Sequence, residues 1–179
     1  MEEGRARLES LTARDPEIGR IVDSQEVAKH PVAEKLKAWD SRAVAGLSEF
    51  RGEVTLLVLR EHLVPVAQYM AAEPSLGFTF LSDVTVVDRF PIEPRFEVNY
   101  QFLSIERKER IRLKVNVNGQ DAAMPSVTPL FPTANWHERE IFDLFGIRFE
   151  GHPDLKRILM PDDWEGHPLR KDYPTEGFR

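Results

Sequence analysis

The chain has 179 residues, of which 41% are hydrophobic, a formal net charge of −6 and no cysteine. That length and apolar content fit one domain with a buried core, with or without ordered extensions. The missing cysteines exclude disulfides, thiolate zinc sites, iron–sulfur ligation and cysteine nucleophiles in this chain, and a net negative, mixed-sign surface is a poor match for nucleic-acid phosphates.

Residues 1–30 are charged and weakly periodic, lack the apolar stretch of a signal peptide, and read as an N-terminal extension ending at Lys29-His30-Pro31. No later run reaches the roughly 18 apolar residues a membrane span needs, so a cytoplasmic chain is expected. From Pro31, VAEKLKAW suits a short helix. AVAGLSEF and EVTLLVL read as two strands joined at Arg51-Gly52, because leucines and β-branched residues run between glycine-containing breaks. In REHLVPVAQYMAAE, Leu63, Val66, Ala67 and Met70 share one helical face, and Pro65 is tolerated in the first turn.

After Gly77 the period becomes two through FTFLSDVTVVDRF, FEVNYQFLSIE and RIRLKVNVN, where Ile111, Leu113, Val115 and Val117 alternate with polar residues. These segments predict antiparallel strands with one wet face and a charged hairpin end around Glu106 to Glu109. The expected fold class is α+β, a mostly antiparallel sheet with helices packed on one side, occupying residues 31–149. Neither GxxxxGK nor GxGxxG occurs, so no glycine-rich phosphate loop is predicted.

Within MPSVTPLFPTANWHEREIFDLFGIRF the spacing predicts a helix of about three turns ending at Gly146. Thr133 or Asn135 is a candidate N-cap, and Asn135 with Glu138 has capping-box spacing. Ala134, His137, Ile141, Leu144 and Phe145 form its apolar stripe. Glu138, Arg139, Glu140 and Asp143 lie mostly off that stripe and read as a solvated face, with Arg139 and Asp143 spaced as an i,i+4 pair. His137-Glu138 begins like a zincin HExxH, but position 141 is Ile, so the second ligand is missing.

Residues 150–179 read as an extended, proline-rich tail carrying Glu-Gly-His-Pro twice, at Glu150 to Pro153 and at Glu165 to Pro168. Each Gly-His-Pro predicts a stiff turn with the histidine ring free to hydrogen-bond. Two loop histidines, His152 and His167, without a third ligand in recognisable spacing make a poor metal site. Asp162, Asp163 and Glu165 form an acidic cluster that is most simply a turn. The charge-dense Arg170 to Pro174 segment cannot satisfy all its side chains locally, a pattern that usually owes its order to a neighbour.

The run Glu138-Arg139-Glu140, Asp143 to Ile147, Phe149 to Pro153, Leu155, Lys156 to Leu159 and Gly166 to Pro174 resembles the signature of the C subunit of NADH-quinone oxidoreductase, the thirty-kilodalton subunit family of respiratory complex I. The likeness is dense from about Pro125 to Pro174. It implies a non-catalytic structural and assembly subunit of the peripheral arm, with no flavin, iron–sulfur cluster or metal of its own. FMN and iron–sulfur clusters then belong to partner subunits, which carry electrons from NADH to a quinone and couple the transfer to proton translocation. The resemblance further implies a hetero-oligomer in which this chain binds the larger D subunit, which helps form the quinone pocket, on the cytoplasmic side of the cell inner membrane.

Carried over by position, the family-motif and candidate interface residues are Glu138, Arg139, Glu140 and Asp143 on the helix, and His152, Arg157, His167, Arg170, Lys171 and Asp172 on the tail. The twin turns are expected to pin the tail across the partner, with its charges paired at the interface or internally. A related membrane-bound hydrogenase or ferredoxin-fed quinone reductase would use an equivalent subunit with a different electron donor. A free-standing hydrolase built on the acidic loop and His167 would instead show activity in the isolated chain.

Overall fold

Proline at the first position of a helix has its φ preset and gives up an N–H that would lack an intrahelical partner, and here it opens α1, Pro31–Trp39. Val32, Ala33 and Leu36 form the buried side of α1. The computed structural model describes residues 30–176, so the N-terminal extension, His30 apart, lies outside the described residues.

The expected hairpin follows as β1, Gly46–Phe50, and β2, Glu53–Leu57. Its two turn residues, Arg51 and Gly52, both have positive φ, at 52° and 80°, which matches the twist of the strands they join. A 3₁₀ turn, Arg60–His62, leads into α2, Leu63–Ala72, which buries Leu63, Val66, Ala67 and Met70 as the periodicity predicts. The three long strands are β3, Phe80–Asp88, β4, Phe96–Ser104, and β5, Glu109–Val117.

The sheet order is β1-β2-β5-β4-β3, antiparallel except where β2 runs parallel to β5. A register shift between Leu81 and Asp83 moves the buried positions of β3 from Leu81 to Val84, so simple alternation fails across Ser82. Phe96, Val98, Tyr100 and Phe102 of β4 lie opposite Val117, Val115, Leu113 and Ile111 of β5 and form the inner face. Residues of α1, α2 and the later helix join them in one core.

The wet face expected for these strands is not uniformly wet. On β4, Glu97 and Asn99 are buried, and long side chains from neighbouring segments reach the Glu97 carboxylate. Lys114 Nζ lies 2.8 Å from Glu97 Oε1, and Arg89 Nη2 donates to Glu97 Oε2 at 3.2 Å. A central strand is thus shielded by the charged arms of its neighbours.

A second unit closes the fold. Strands β6, Ala123–Pro125, and β7, Arg148–Glu150, pair in parallel, and α3, Ala134–Phe145, is the crossover between them. Residues 151–176 form a succession of turns rather than regular structure.

Candidate functional site

The helix α3 begins without a side-chain cap. Thr133 Oγ1 donates instead to the Leu81 carbonyl at 3.3 Å, Asn135 lies inside the first turn, and the predicted capping box does not form. The Glu138 carboxylate, which that box would need, is engaged elsewhere. Glu138 and Asp143, expected on a solvated face, are both fully buried, whereas Arg139 is half-buried and Glu140 exposed.

Glu138 points into the β6 side of the unit. Its carboxylate accepts from Ser126 Oγ at 2.5 Å, Val127 N at 2.8 Å and Thr128 Oγ1 at 3.1 Å. Burial raises its pKa above the ordinary 4.5, and the three donors only partly offset that. A carboxyl with a raised folded pKa adds stability that is complete below about pH 4.5 and lost as pH rises through the folded value. Glu138→Gln should therefore flatten the decline in unfolding free energy as pH rises above about 4.5, measured by urea titration at stepped pH. Parallel pH curves for the two proteins would contradict this.

Asp143 is the anchor of the tail. Its Oδ1 accepts from Arg157 Nη1 at 2.6 Å, and its Oδ2 accepts the consecutive backbone N–H groups of Ile158, Leu159 and Met160 at 3.0, 2.8 and 2.9 Å. Burial alone would raise its pKa, but the N–H groups of Met160 and Ile158 and the Arg157 guanidinium outweigh burial and hold it below the usual carboxylate range. The predicted pairing with Arg139 is therefore replaced. Arg139 instead donates to the carbonyls of Lys156 and Arg157 at 3.2 and 3.1 Å and lies over the Trp136 ring.

Helix C-termini leave carbonyls without intrahelical partners, and here the tail supplies donors for them. The Asp143 carbonyl accepts from His167 Nδ1 at 2.9 Å and Arg157 Nη1 at 3.2 Å. The Leu144 carbonyl accepts from Leu169 N at 3.1 Å, and the Phe145 carbonyl from Arg170 Nε at 2.5 Å. Two guanidinium groups thereby face the negative end of the helix dipole. Gly146, at φ 72°, closes α3, and a Cβ there would collide with the His167 ring and the Arg170 guanidinium.

The twin Glu-Gly-His-Pro turns now acquire a common address. Gly151 and Gly166 have φ of 81° and 76°. His152 Nε2 donates to the Asn135 carbonyl at 3.2 Å, near the start of α3, and His167 Nδ1 donates to the Asp143 carbonyl near its end. His152 Nδ1 accepts from Asp154 N at 3.1 Å. Burial lowers the pKa of His167, which keeps its ring neutral at pH 7. The repeat straps the tail along one helix of the same chain.

The strap ends on a second anchor that no motif signalled. Arg95 Nε and Nη2 donate to Asp88 Oδ1 and Oδ2 at 2.9 and 2.8 Å, while Nη1 and Nη2 donate to Asp172 Oδ2 and Oδ1 at 2.9 and 2.5 Å. Lys171 N also donates to Asp88 Oδ2 at 2.9 Å. Arg95 and Arg170 both stack on Phe96, at 5.0 and 5.4 Å from the ring centroid. Burial would raise the Asp88 pKa, but Arg95 and the N–H groups of Lys171 and Phe90 bring it from 3.8 to about 2.

Of the residues singled out from the motifs, Asp143, Arg157, His167 and Arg170 meet at the end of α3. Lys171 and Asp172 meet Asp88 and Arg95, and Glu138, Arg139 and His152 sit nearer the start of α3. Glu140 is brought to none of these groups. Asp88, Arg95, Ser126 and Thr128 carry no motif signal, since they lie in ordinary strand and loop sequence far from their partners. Asp162, Asp163 and Glu165 are exposed, on a turn closed by Trp164 N donating to the Pro161 carbonyl at 3.0 Å.

The family model for the respiratory-chain NADH dehydrogenase 30 Kd subunit matches residues 56–179, more than half of the chain. The chain belongs to this family. It is 51% identical over 143 residues to the NADH-quinone oxidoreductase C subunit of Roseiflexus sp. (strain RS-1), spanning 80% of this chain and 82% of that protein. It is 47% identical over 144 residues to the protein of the same name from Geobacter sulfurreducens, spanning 80% and 88%. A solved trypsin-resistant fragment (1-134) of Nqo5 superposes with a TM-score of 0.56 at 33% identity, covering 69% of this chain and 96% of the fragment. A chain of the membrane-bound sulfane sulfur reductase, an archaeal respiratory membrane complex, shares the fold at a TM-score of 0.67 and 23% identity, covering 80% of this chain and 84% of that one.

For this 30-kDa family member, the motif residues Asp143, Arg157, His167, Arg170 and Asp172 act as internal ties between strap and domain. Among the described residues, no group of three or more His, Asp or Glu side chains is arranged to hold a metal ion, and no helix is long and apolar enough to cross a membrane.

Proposed function

We propose that this chain is a non-catalytic structural and assembly subunit of the peripheral arm of a proton-translocating NADH-quinone oxidoreductase. It presents its strap to the neighbouring quinone-pocket subunit and sits on the cytoplasmic side of the membrane. Flavin and iron–sulfur chemistry is supplied by partner subunits, in keeping with a chain that has no cysteine. The observation that carries this reading is the commitment of the motif side chains. The Asp143 carboxylate is saturated by Arg157 and three backbone N–H groups, and Arg95 is shared between Asp88 and Asp172, so these groups hold shape and are not free for chemistry. Likewise His167 Nδ1 is committed to a helix carbonyl and its ring lies against Gly146, which speaks against a hydrolase built on His167 and Asp163.

A tagged pull-down from native membranes tests the proposal, comparing the full chain with a form truncated before Glu165. The full chain should recover a multi-subunit assembly that oxidises NADH, and the truncated form should not. Recovery of a lone protein in both cases would overturn the reading. An assembly oxidising reduced ferredoxin but not NADH would move the chain to the equivalent position in a related complex.

A further inference from the structure

On the strap, three large apolar side chains stay uncovered although their backbone is fixed. Leu159, Trp164 and Leu169 are 56%, 40% and 52% exposed. Leu159 N is held by the Asp143 carboxylate at 2.8 Å, the Trp164 carbonyl accepts from Arg157 Nη2 at 2.9 Å, and Leu169 N is held by the Leu144 carbonyl at 3.1 Å. The backbone that carries all three is therefore tied around the end of α3, and a partner covering them has little chain entropy to overcome.

The rim supplies the partner's chemistry. Asp162, Asp163 and Glu165 flank Trp164 and are exposed, and among the described residues their carboxylates have no ion-pair or hydrogen-bond partner. Covering this platform with a neutral surface would strip carboxylates of water without compensation. A groove edged by arginine and lysine avoids that penalty, and a guanidinium also suits the face of an indole ring.

We propose that the face of the strap from Leu159 to Leu169 is a docking surface for a neighbouring protein whose apolar groove is edged by arginine and lysine. This rests on the assembly reading above and names the partner by its chemistry. Among the described residues, the side chains involved take no part in the strap's own hydrogen bonds.

The test uses the tagged full-length chain in its native membranes in three forms: wild type, Leu159→Ser with Trp164→Ser, and Asp162→Lys with Asp163→Lys and Glu165→Lys. Both variants should lower recovery of the assembly by about tenfold or more, and added salt should weaken wild-type capture. Equal recovery with all three forms would overturn the docking surface while leaving the assembly reading standing. Loss with the apolar variant alone would overturn the basic groove. No assembly with wild type would overturn both readings. As a check independent of folding, a photo-crosslinker at Leu169 in the otherwise wild-type chain should capture a single partner from the assembly, and capture of none would overturn the proposal.

Discussion

Replacing Asp143 with alanine is expected to cost about 3–5 kcal/mol of unfolding free energy and to detach the strap from α3. The side chain is fully buried, and its removal leaves a guanidinium and three backbone N–H groups facing a void. Unsatisfied buried donors are penalised far more than a surface ion pair is rewarded. Urea unfolding would read the loss as a lowered midpoint, and hydrogen exchange at Ile158, Leu159 and Met160 should accelerate with it. Glu140→Ala, at an exposed position of the same helix, should change stability by no more than about 0.5 kcal/mol. If the two variants unfold alike, Asp143 is not an anchor.

Arg95→Met is expected to have a comparable effect, about 3–5 kcal/mol, from the other end of the strap. Methionine keeps much of the volume against Phe96 but leaves Asp88 buried without a cation and Asp172 without its fork. The loss should depend on pH in a defined direction. Asp88 is held at about 2 against an ordinary 3.8, so its contribution is present above about pH 4 and disappears as pH falls through about 2. Without Arg95 its folded pKa rises, so the wild-type advantage should shrink steadily between roughly pH 4 and pH 2. A deficit that stays constant across that range would mean that Arg95 acts through packing and not through Asp88.

Much of this protein could be read directly from its residues. Alternation in RIRLKVNVN placed Ile111, Leu113, Val115 and Val117 on a buried face, and Leu63, Val66, Ala67 and Met70 marked the core side of α2. Gly146, Gly151 and Gly166 all adopt the positive φ their turns require. Such features follow from steric preferences and periodicities that each segment carries alone. The density of the motif between Pro125 and Pro174 was likewise enough to point to the family.

The destinations of the charged side chains could not be read in the same way. A helical wheel gives the angle of Glu138 and Asp143 on α3 but not what will cover that angle, and the covering pieces are the loop at Ser126 to Thr128 and the strap at Ile158 to Met160. Arg139 and Asp143 have the spacing of a pair, yet three N–H groups and Arg157 together offer a buried carboxylate more than one half-buried arginine could. Arg95 and Asp172 are 77 positions apart, and only the closing of β3 onto β4 and of the strap onto both brings them together. Local sequence thus determined where the chain turns and which faces are apolar. Tertiary structure decided which charges are buried and paired, because desolvation and hydrogen bonding depend on every segment that arrives at the site.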